Sequence, residues 1–301
     1  MMRLKHIQSY LSSIPTPHFP DPKITLEQYG TSPELASSII HYAYTHGDIG
    51  LPHSSVLDLG CGTGVLAIGC GIVGSKRILC VDCDDEAIRI AKENVDAMDL
   101  EVGDNDGAED GDIDGDGEGG CVVEYILAEL KHETRSKPSC NRGGRGGRGN
   151  NKGRNHKGKG RGRGGRSNHA AAAASPPIPP PSDNDDDGIP LQSNIVDTVL
   201  TNPPFGTKHN AGIDISFLKT AIRLASKAVY SFHKSSTRNY LMKTVQGWGY
   251  DVEVIAQMKF DIPKMYKFHK LDEVDVDVDL IRVSLVKKDD DDYVDGEEDE
   301  L

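Results

Sequence analysis

Apolar residues follow two different spacings along the chain. Before residue 50 they recur every three or four positions over 4–14 and 33–44, which predicts two helices ahead of the first strand. Beyond residue 50, short continuous apolar runs alternate with further helical segments. The predicted strands are Val56–Leu59, Ile78–Val81, Val122–Leu127, Ile195–Leu200, Ala228–Phe232, Tyr250–Phe260 and Val274–Val286. The predicted helices between them are Val65–Val73, Glu86–Met98, Ile215–Ala228 and Ser235–Gln246.

This alternation of strands and helices predicts the fold class. Continuous apolar strands are typical of a parallel sheet whose two faces are both covered by helices. The last two predicted strands follow one another without a helix between them, which favours an antiparallel pair. We therefore expect an α/β, Rossmann-like fold with a seven-stranded, mostly parallel sheet and helices on both faces.

Four segments of biased charge interrupt the pattern. The acidic segments are 104–118 with eight Asp/Glu, Asp183–Asp187 with four Asp, and 289–300 with nine Asp/Glu, whereas 138–169 carries ten Lys/Arg and eleven Gly. The net charge of the chain is −13, but outside these segments 24 bases stand against 26 acids, a net charge of −2. The negative net charge of the whole chain therefore says little about the charge of the surface that binds a substrate.

Segments of this composition cannot bury enough apolar area to fold. We predict a single domain over 1–288, with disordered inserts at about 102–120 and 138–190 and a disordered acidic tail at 289–301. We interpret the acidic runs as solvated spacers. Six scattered cysteines favour a reducing compartment over secretion. The longest nearly apolar run, Val65–Gly74, is far shorter than the roughly 20 residues that span a bilayer, so we expect a soluble intracellular protein.

The first chemical motif lies directly after the first predicted strand. It consists of Asp58, Gly60, Gly62 and Gly64, and Asp82 ends the second predicted strand. Glycines here let the backbone turn tightly and approach a ligand, and a carboxylate after the next strand can accept hydrogen bonds from a ribose diol. The spacing is G-x-G-x-G instead of G-x-G-x-x-G, so a cofactor without phosphates, such as S-adenosylmethionine, fits at least as well as a dinucleotide. A glycine turn that only packs helix on strand is the alternative.

The second motif, Asn202-Pro203-Pro204-Phe205, follows the fourth predicted strand. The carboxyl edge of such a sheet is where ligands bind in open α/β folds. Two prolines fix the backbone, so that the Asn202 side chain and the Pro203 carbonyl can both accept hydrogen bonds from one planar amine. Phe205 offers a stacking face for the ring that bears the amine. We predict methyl transfer to an amino group by positioning and electrostatics, without a metal.

Together the two motifs resemble those of class I S-adenosylmethionine-dependent methyltransferases that act on amino groups. Four further stretches narrow the resemblance: the EQY run and Thr31 in 27–31, NPPFGTK at 202–208, HKSSTR at 233–238, and YKFHK at 266–270 followed by VDVDLIR. They are similar to the eukaryotic methyltransferase-like family that modifies the 6-amino group of one adenosine in small-subunit (18S) ribosomal RNA. The likeness covers about 200 residues, essentially everything outside the inserts and the tail.

The resemblance implies roles for particular residues. The implied cofactor site contains Gln28, Thr31, Gly60, Thr63, Val65 and Asp82. Asn202 to Phe205 would hold the flipped adenine. Where the family places an Asp for the cofactor's adenine amine, this chain offers Glu129; Gly30 and Thr63 also depart from the family pattern.

Two basic clusters are candidates for an RNA-binding surface. Lys208 follows the proline motif, and the clusters contain His233, Lys234, Arg238, Lys267, His269 and Lys270. Tyr266 and Phe268 interleave the second cluster, as expected where a surface grips phosphates and stacks on a base. A solvated charged face is the alternative. Cys80 and Cys83 form a lone C-x-x-C without a second pair, so we predict no metal site.

The family resemblance also implies a partner and a location. Members work as a heterodimer with a small zinc-binding activator subunit, and the apolar third predicted strand would form a sheet edge able to pair with it. The expected location is the nucleus, the nucleolus and the cytoplasm. Two rival functions stay open: a protein glutamine methyltransferase, which also presents an amide nitrogen to Asn-Pro-Pro, and a catalytically idle RNA-binding scaffold.

Overall fold

The computed structural model describes residues 2–100, 121–132, 178–183, 185–206, 210–263 and 273–286. The strands are β1 (Ser55–Leu59), β2 (Arg77–Asp82), β3 (Val122–Leu127), β4 (Val196–Thr201), β5 (Ala225–Lys234), β6 (Asp251–Pro263) and β7 (Glu273–Ser284). The helices are α1 (Leu4–Leu11), α2 (Pro33–Thr45), α3 (Val65–Ile72), α4 (Asp85–Ala97), α5 (Ile213–Leu224) and α6 (Arg238–Gly247).

All seven strands form one sheet in the order β3-β2-β1-β4-β5-β7-β6. Strands β1 to β5 are parallel, and β7 is antiparallel to both β5 and β6. The predicted fold class is therefore confirmed. The chain leaves β1 for β2 on one side and returns to β4 on the other, which makes a topological switch point between β1 and β4. The loops that follow these two strands carry both predicted motifs.

Local sequence signals explain where the site-bearing helices begin. Ser32 caps α2, because its hydroxyl accepts a hydrogen bond from the backbone N–H of Leu35, and Pro33 occupies the first turn. The Asp84 carboxylate caps α4 in the same way through the N–H of Glu86. Helices α1 and α2 pack beside α3, where Ile7, Ile39 and Ile68 have no exposed area. This packing places the segment between α1 and α2 beside the end of β1.

Most boundaries differ by a few residues from those predicted. Helix α5 ends at Leu224 instead of Ala228, because Ala225 adopts extended dihedral angles and pairs with Val196 of β4. Alanine-rich sequence fits either state, and here the pairing with the neighbouring strand decides.

The second insert was expected to extend to 190. In the structure, however, the segment 185–190 lies against α5, and Ile189 is buried. The boundary at 190 is therefore too late, because Asp185, Asp186 and Asp187 pair with basic side chains of the folded domain. Of the two predicted inserts, residues 102–120, 138–177 and 184 lie outside the described residues.

Strand β3 lies at one edge of the sheet, as its place in the strand order predicts. In the part of the chain that the structure describes, no helix is long and apolar enough to cross a bilayer.

Candidate active site

A cavity of about 340 Å³ lies beyond the carboxyl ends of β1, β2 and β4. Four segments line it: 25–31 ahead of α2, the glycine turn after β1, residues 128–130 and 132 after β3, and the proline motif after β4. All nine residues predicted for the cofactor site lie on its wall, namely Gln28, Thr31, Asp58, Gly60, Gly62, Thr63, Val65, Asp82 and Glu129. The sheet topology thus brings the two separate motifs to one concave surface.

The glycine turn is held by its neighbour strand. Gly62 has φ 54° and Gly64 has φ 81°, in the left-handed region where a side chain would be strained. The N–H of Gly62 donates to Asp82 Oδ2 at 2.9 Å, and the N–H of Gly60 donates to the carbonyl of Val81 at 2.8 Å. The turn is therefore fixed before any ligand binds.

Two carboxylates face this turn: Asp58 is buried and Asp82 is partly buried. Asp82 accepts from Gly62 and from the N–H of Asp84 at 3.0 Å, and burial raises the pKa of its carboxyl group. Asp58 accepts from the N–H of Ala67 at 3.1 Å through Oδ2. Burial raises the pKa of Asp58 to about 7; the bond from Ala67 opposes this rise and the nearby charge of Asp82 adds to it. The other oxygen, Oδ1, is buried without a hydrogen-bond partner among the described residues.

The amide of Asn202 has one satisfied end and one unsatisfied end. Its Nδ2 donates to the hydroxyl of Thr31 at 3.0 Å. Its Oδ1 is buried, and no described group donates to it. Asn202 and Thr31 both line the cavity. The site therefore contains two hydrogen-bond acceptors without a described donor, Asp58 Oδ1 and Asn202 Oδ1. They fit ligands that carry N–H or O–H donors.

The aromatic residue of the second motif does not lie where it was predicted. Pro204 lines the cavity, but Pro203 is buried beside it and Phe205 is not part of the cavity wall. The Phe205 ring stacks on Tyr29, with centroids 5.6 Å apart, and meets Phe260 edge-on at 5.5 Å. A stacking face of Phe205 open to the cavity is thus wrong for this structure, because Tyr29 already packs against that ring.

The segment ahead of α2 is tied to the cofactor side of the cavity. The carboxylate of Asp84 accepts from Lys23 Nζ and from Gln28 Nε2, each at 2.6 Å. Burial alone would raise the pKa of Asp84, but these two bonds lower it below its ordinary value. The hydroxyl of Thr63 donates to the carbonyl of Pro17 at 2.9 Å. Gln28 and Thr63 therefore shape the wall while their side chains bond protein groups.

Glu129 is exposed on the cavity wall just after β3. The sequence prediction missed several other wall residues: Phe19, His132, Ile189, Asn210, Ile213 and Phe217. His132 is held by Ser216 at 2.9 Å from its Nδ1. These residues belong to loops or to a helix face that carries no motif, and only the folded chain brings them to the cavity.

The first basic cluster is partly buried. His233 is buried, with Nε2 2.9 Å from the hydroxyl of Ser231 and Nδ1 3.5 Å from the carboxylate of Asp214. The prediction that His233 grips phosphates is therefore wrong, because its side chain is enclosed by the protein. Arg238 donates twice, at 2.6 Å, to the buried carboxylate of Asp279, but its side chain is 38% exposed, so its contact with RNA stays a prediction.

Lys234, predicted only as part of the basic cluster after the fifth strand, lies beside the second motif. Its Nζ lies 5.9 Å from the centroid of the Phe205 ring. The remaining predicted RNA contacts, Lys208, Lys267, His269 and Lys270, lie outside the described residues.

The fold and this cavity define the class of the protein. A sheet with one antiparallel strand, a fixed glycine turn after β1, an acidic residue after β2 and Asn-Pro-Pro after β4 are together those of a class I S-adenosylmethionine-dependent methyltransferase. The unpartnered carboxylate and amide oxygens fit a cofactor with an amino-acid head and a substrate with an amine.

Comparison with known proteins identifies the family. The chain is 32% identical to the rRNA N6-adenosine-methyltransferase METTL5 of Danio rerio, over 93% of this chain and 98% of that protein. It is 30% identical to the Mettl5 protein of Drosophila melanogaster, over 94% of this chain and 97% of that protein. The chain belongs to the METTL5 family of rRNA N6-adenosine-methyltransferases.

Two further comparisons agree with the fold. Residues 46–130 match the model of the ribosomal protein L11 methyltransferase (PrmA) family. A candidate RNA methyltransferase of Pyrococcus horikoshii aligns over 94% of this chain and 98% of that chain, with a TM-score of 0.58 and 24% identity.

Proposed function

We propose that this protein methylates the N6 amine of one adenosine in small-subunit (18S) ribosomal RNA, with S-adenosylmethionine as the methyl donor. The observation that carries the proposal is the amide of Asn202. Its Nδ2 is fixed on Thr31, so its buried and unpartnered Oδ1 is the end available to the cavity. An acceptor in that place matches an exocyclic amine, which carries two N–H donors.

Orientation is what an adenine amine needs from the protein. Its nitrogen is a poor nucleophile because its lone pair is delocalised into the ring. Acceptors on its hydrogens favour a more tetrahedral nitrogen, and rigid prolines hold those acceptors in place. The cofactor, when bound, supplies an electrophilic methyl group on a sulfonium. The part of the protein would be to hold the amine beside that methyl group, through Asn202 Oδ1 and the backbone that Pro203 and Pro204 make rigid.

The cavity also supports roles for the acidic residues. Asp82 is the candidate acceptor for the ribose hydroxyls, and Asp58 Oδ1 is the candidate acceptor for the amino group of the cofactor. Glu129 is the candidate partner of the cofactor's adenine amine, since it lies on the wall beyond β3. The main chain of Gly60 and Gly62 lets the cofactor approach. The side chains of Gln28, Thr31, Thr63 and Val65 complete this wall.

Adenine in a duplex cannot reach a cavity of this kind, so the target nucleotide must be single-stranded or extruded. Lys234, close to the second motif, is the described candidate for a phosphate contact. Lys208, Lys267, His269 and Lys270 are further candidates from the sequence.

We also propose a small zinc-binding activator subunit as partner, docked on the edge of β3. Leu127, at the end of this edge strand, is 60% exposed. Among the described residues no strand pairs with the outer edge of β3, and an edge with apolar side chains is suited to strand addition. The family resemblance supports this partner, and it also supports a location in the nucleus, the nucleolus and the cytoplasm.

The test is transfer of labelled methyl groups by the chain co-expressed with its partner. Ribosomal RNA from cells lacking this chain is the substrate, and the labelled nucleotide is then mapped. We expect N6-methyladenosine at one position of the 18S RNA. The Asn202→Ala variant should lose transfer but still bind RNA and cofactor.

Label in a glutamine of a release factor would instead establish the protein methyltransferase. Absence of transfer to any RNA, with RNA binding intact, would establish the idle scaffold. Either result overturns the proposal.

A further inference from the structure

The four-Asp run contains a buried ion pair. Both carboxylate oxygens of Asp187 accept hydrogen bonds from the guanidinium of Arg223 on α5, from Nε and Nη2 at 2.9 Å each. The hydroxyl of Thr220 adds a third bond at 2.8 Å. The side chain of Arg223 is only 5% exposed, and that of Asp187 is 13% exposed. A fork-like pair in such surroundings has a defined geometry as well as charge.

The same guanidinium holds the chain beyond Asp187. Nη1 of Arg223 donates to the carbonyl of Leu191 at 2.7 Å, and Nη2 lies 3.4 Å from the carbonyl of Ile189. The backbone N–H of Ile189 donates back to Asp187 Oδ1 at 3.1 Å. These bonds fix the backbone over 187–191, and Ile189 is both buried and part of the cavity wall.

A second segment of the wall joins the first through Lys131. Its backbone N–H donates to the carbonyl of Asp187 at 2.8 Å, and its Nζ pairs with Asp186 at 2.6 Å. Glu129 and His132, on either side of Lys131, line the cavity. Two wall segments that are more than 50 residues apart in sequence are thus bonded to each other, and Arg223 is bonded to one of them.

We infer that Arg223 is a positioning residue for the methyl-donor site, acting through a clasp formed by Lys131, Asp186, Asp187 and Arg223. The clasp sets the wall that carries Glu129, His132 and Ile189, although no clasp side chain belongs to the predicted cofactor set. The inference rests on the proposed function, because that wall is the one assigned to the cofactor.

A buried arginine is suited to this role. Removing one partner of the pair costs several kcal/mol, because the other partner is left as a buried charge without a counter-charge. It also fixes several points of the segment 187–191 at once, since the N–H donors of one planar group bond a carboxylate and two nearby carbonyls together, and Lys131 is bonded to that segment in turn. Loss of the clasp should therefore loosen the wall more than it unfolds the sheet.

The test is calorimetric binding of S-adenosylmethionine to the complex with its partner, for the wild type, Arg223→Met and Arg223→Lys. Methionine keeps the apolar length of the side chain and removes the donors. We expect the Kd to rise about tenfold for Arg223→Met and about threefold for Arg223→Lys, which keeps the charge but loses the fork. The value of kcat at saturating cofactor should stay within about twofold of wild type, because the acceptor amide of Asn202 is untouched.

Arg89→Met is the matched control. Arg89 also pairs with two carboxylates, those of Glu86 and Glu93, but it is 53% exposed on α4. This control should leave the Kd unchanged. A double variant, Arg223→Met with Asp187→Leu, should have a Kd for S-adenosylmethionine no higher than the higher of the two single-variant values, because both changes break the same pair.

The calorimetric stoichiometry separates binding from folding. A merely structural role would lower the folded fraction or the melting temperature while the Kd of the folded protein stayed at the wild-type value, and that result overturns the inference. An unchanged Kd for the Lys variant together with insolubility of the Met variant overturns it as well. If the wild type itself binds no S-adenosylmethionine, the proposed function fails instead.

Discussion

The buried carboxyl group of Asp58 makes cofactor affinity depend on pH. Its pKa is raised to about 7, so in the free protein about half of the molecules carry a neutral Asp58 at neutral pH. The amino group of the methyl donor is a cation in this range, and an unpartnered oxygen that accepts from it must favour the ionised carboxylate. Proton and cofactor therefore compete, and acid should weaken cofactor binding.

The magnitude follows from the ionised fraction. With a pKa of about 7, that fraction is about one half at pH 7 and about one eleventh at pH 6. The Kd should thus rise about fivefold from pH 7 to pH 6 and change by less than about twofold from pH 7 to pH 8.

The same shift has a consequence for stability. Because the folded pKa lies above the unfolded one, the folded state of the free protein holds the proton more tightly. This carboxyl group therefore contributes stability that is present below about pH 4 and declines as the pH rises through about 7.

The assay is isothermal titration of S-adenosylmethionine between pH 6 and pH 8 with wild type, Asp58→Asn and Asp82→Asn. The amide introduced by Asp58→Asn cannot ionise, so the profile of that variant should be flat over this range. Asp82 has a raised pKa of its own and lies close to Asp58, and its variant separates the two groups. A slope that persists in Asp58→Asn, or a wild type without a slope, would refute the reasoning.

Two shorter predictions concern neighbouring side chains. Thr31→Val removes the acceptor for Asn202 Nδ2 but keeps the shape of the side chain. Steady-state kinetics should therefore show a kcat about tenfold lower, with the KM for the methyl donor within about twofold of wild type. Thr31→Ser keeps the hydroxyl and should retain activity. Equal kcat values for all three proteins would contradict this. Arg238→Met removes the two guanidinium bonds to the buried carboxylate of Asp279, so urea unfolding should show a lower free energy of unfolding, with RNA affinity unchanged. A loss of RNA affinity with unchanged stability would return Arg238 to the binding surface.

The sheet and the position of the cavity could be predicted because their signals are local. A strand followed at once by a glycine turn, or by Asn-Pro-Pro, specifies both the element and the edge at which its functional residue lies. Nine wall residues followed from such motifs or from the family resemblance. The end of α5 was misplaced because alanines at 225 and 228 suit a helix as well as a strand, and pairing with β4 decides between them.

The accessibility of charged and aromatic side chains could not be predicted in the same way. His233 and Arg238 stand in a basic run, which is typical of an RNA surface, yet their partners Asp214 and Asp279 lie 19 and 41 residues away. The Phe205 ring is covered by Tyr29, from a segment 176 residues earlier in the chain. A run of like charges shows that charge is present, but only tertiary pairing decides whether it faces solvent.

Arg223 shows where the sequence misleads about such pairs. Its neighbours one turn away on α5 are Lys219 and Thr220, so helical spacing places this arginine on the polar face of the helix. The charge of the acidic run 183–187 alone indicates a solvated spacer. In the structure the run covers this face of α5, and the Arg223 side chain is only 5% exposed where it pairs with Asp187. That pairing needs the geometry of the folded chain, in which one carboxylate bonds both Arg223 and the backbone of Ile189 on the cavity wall.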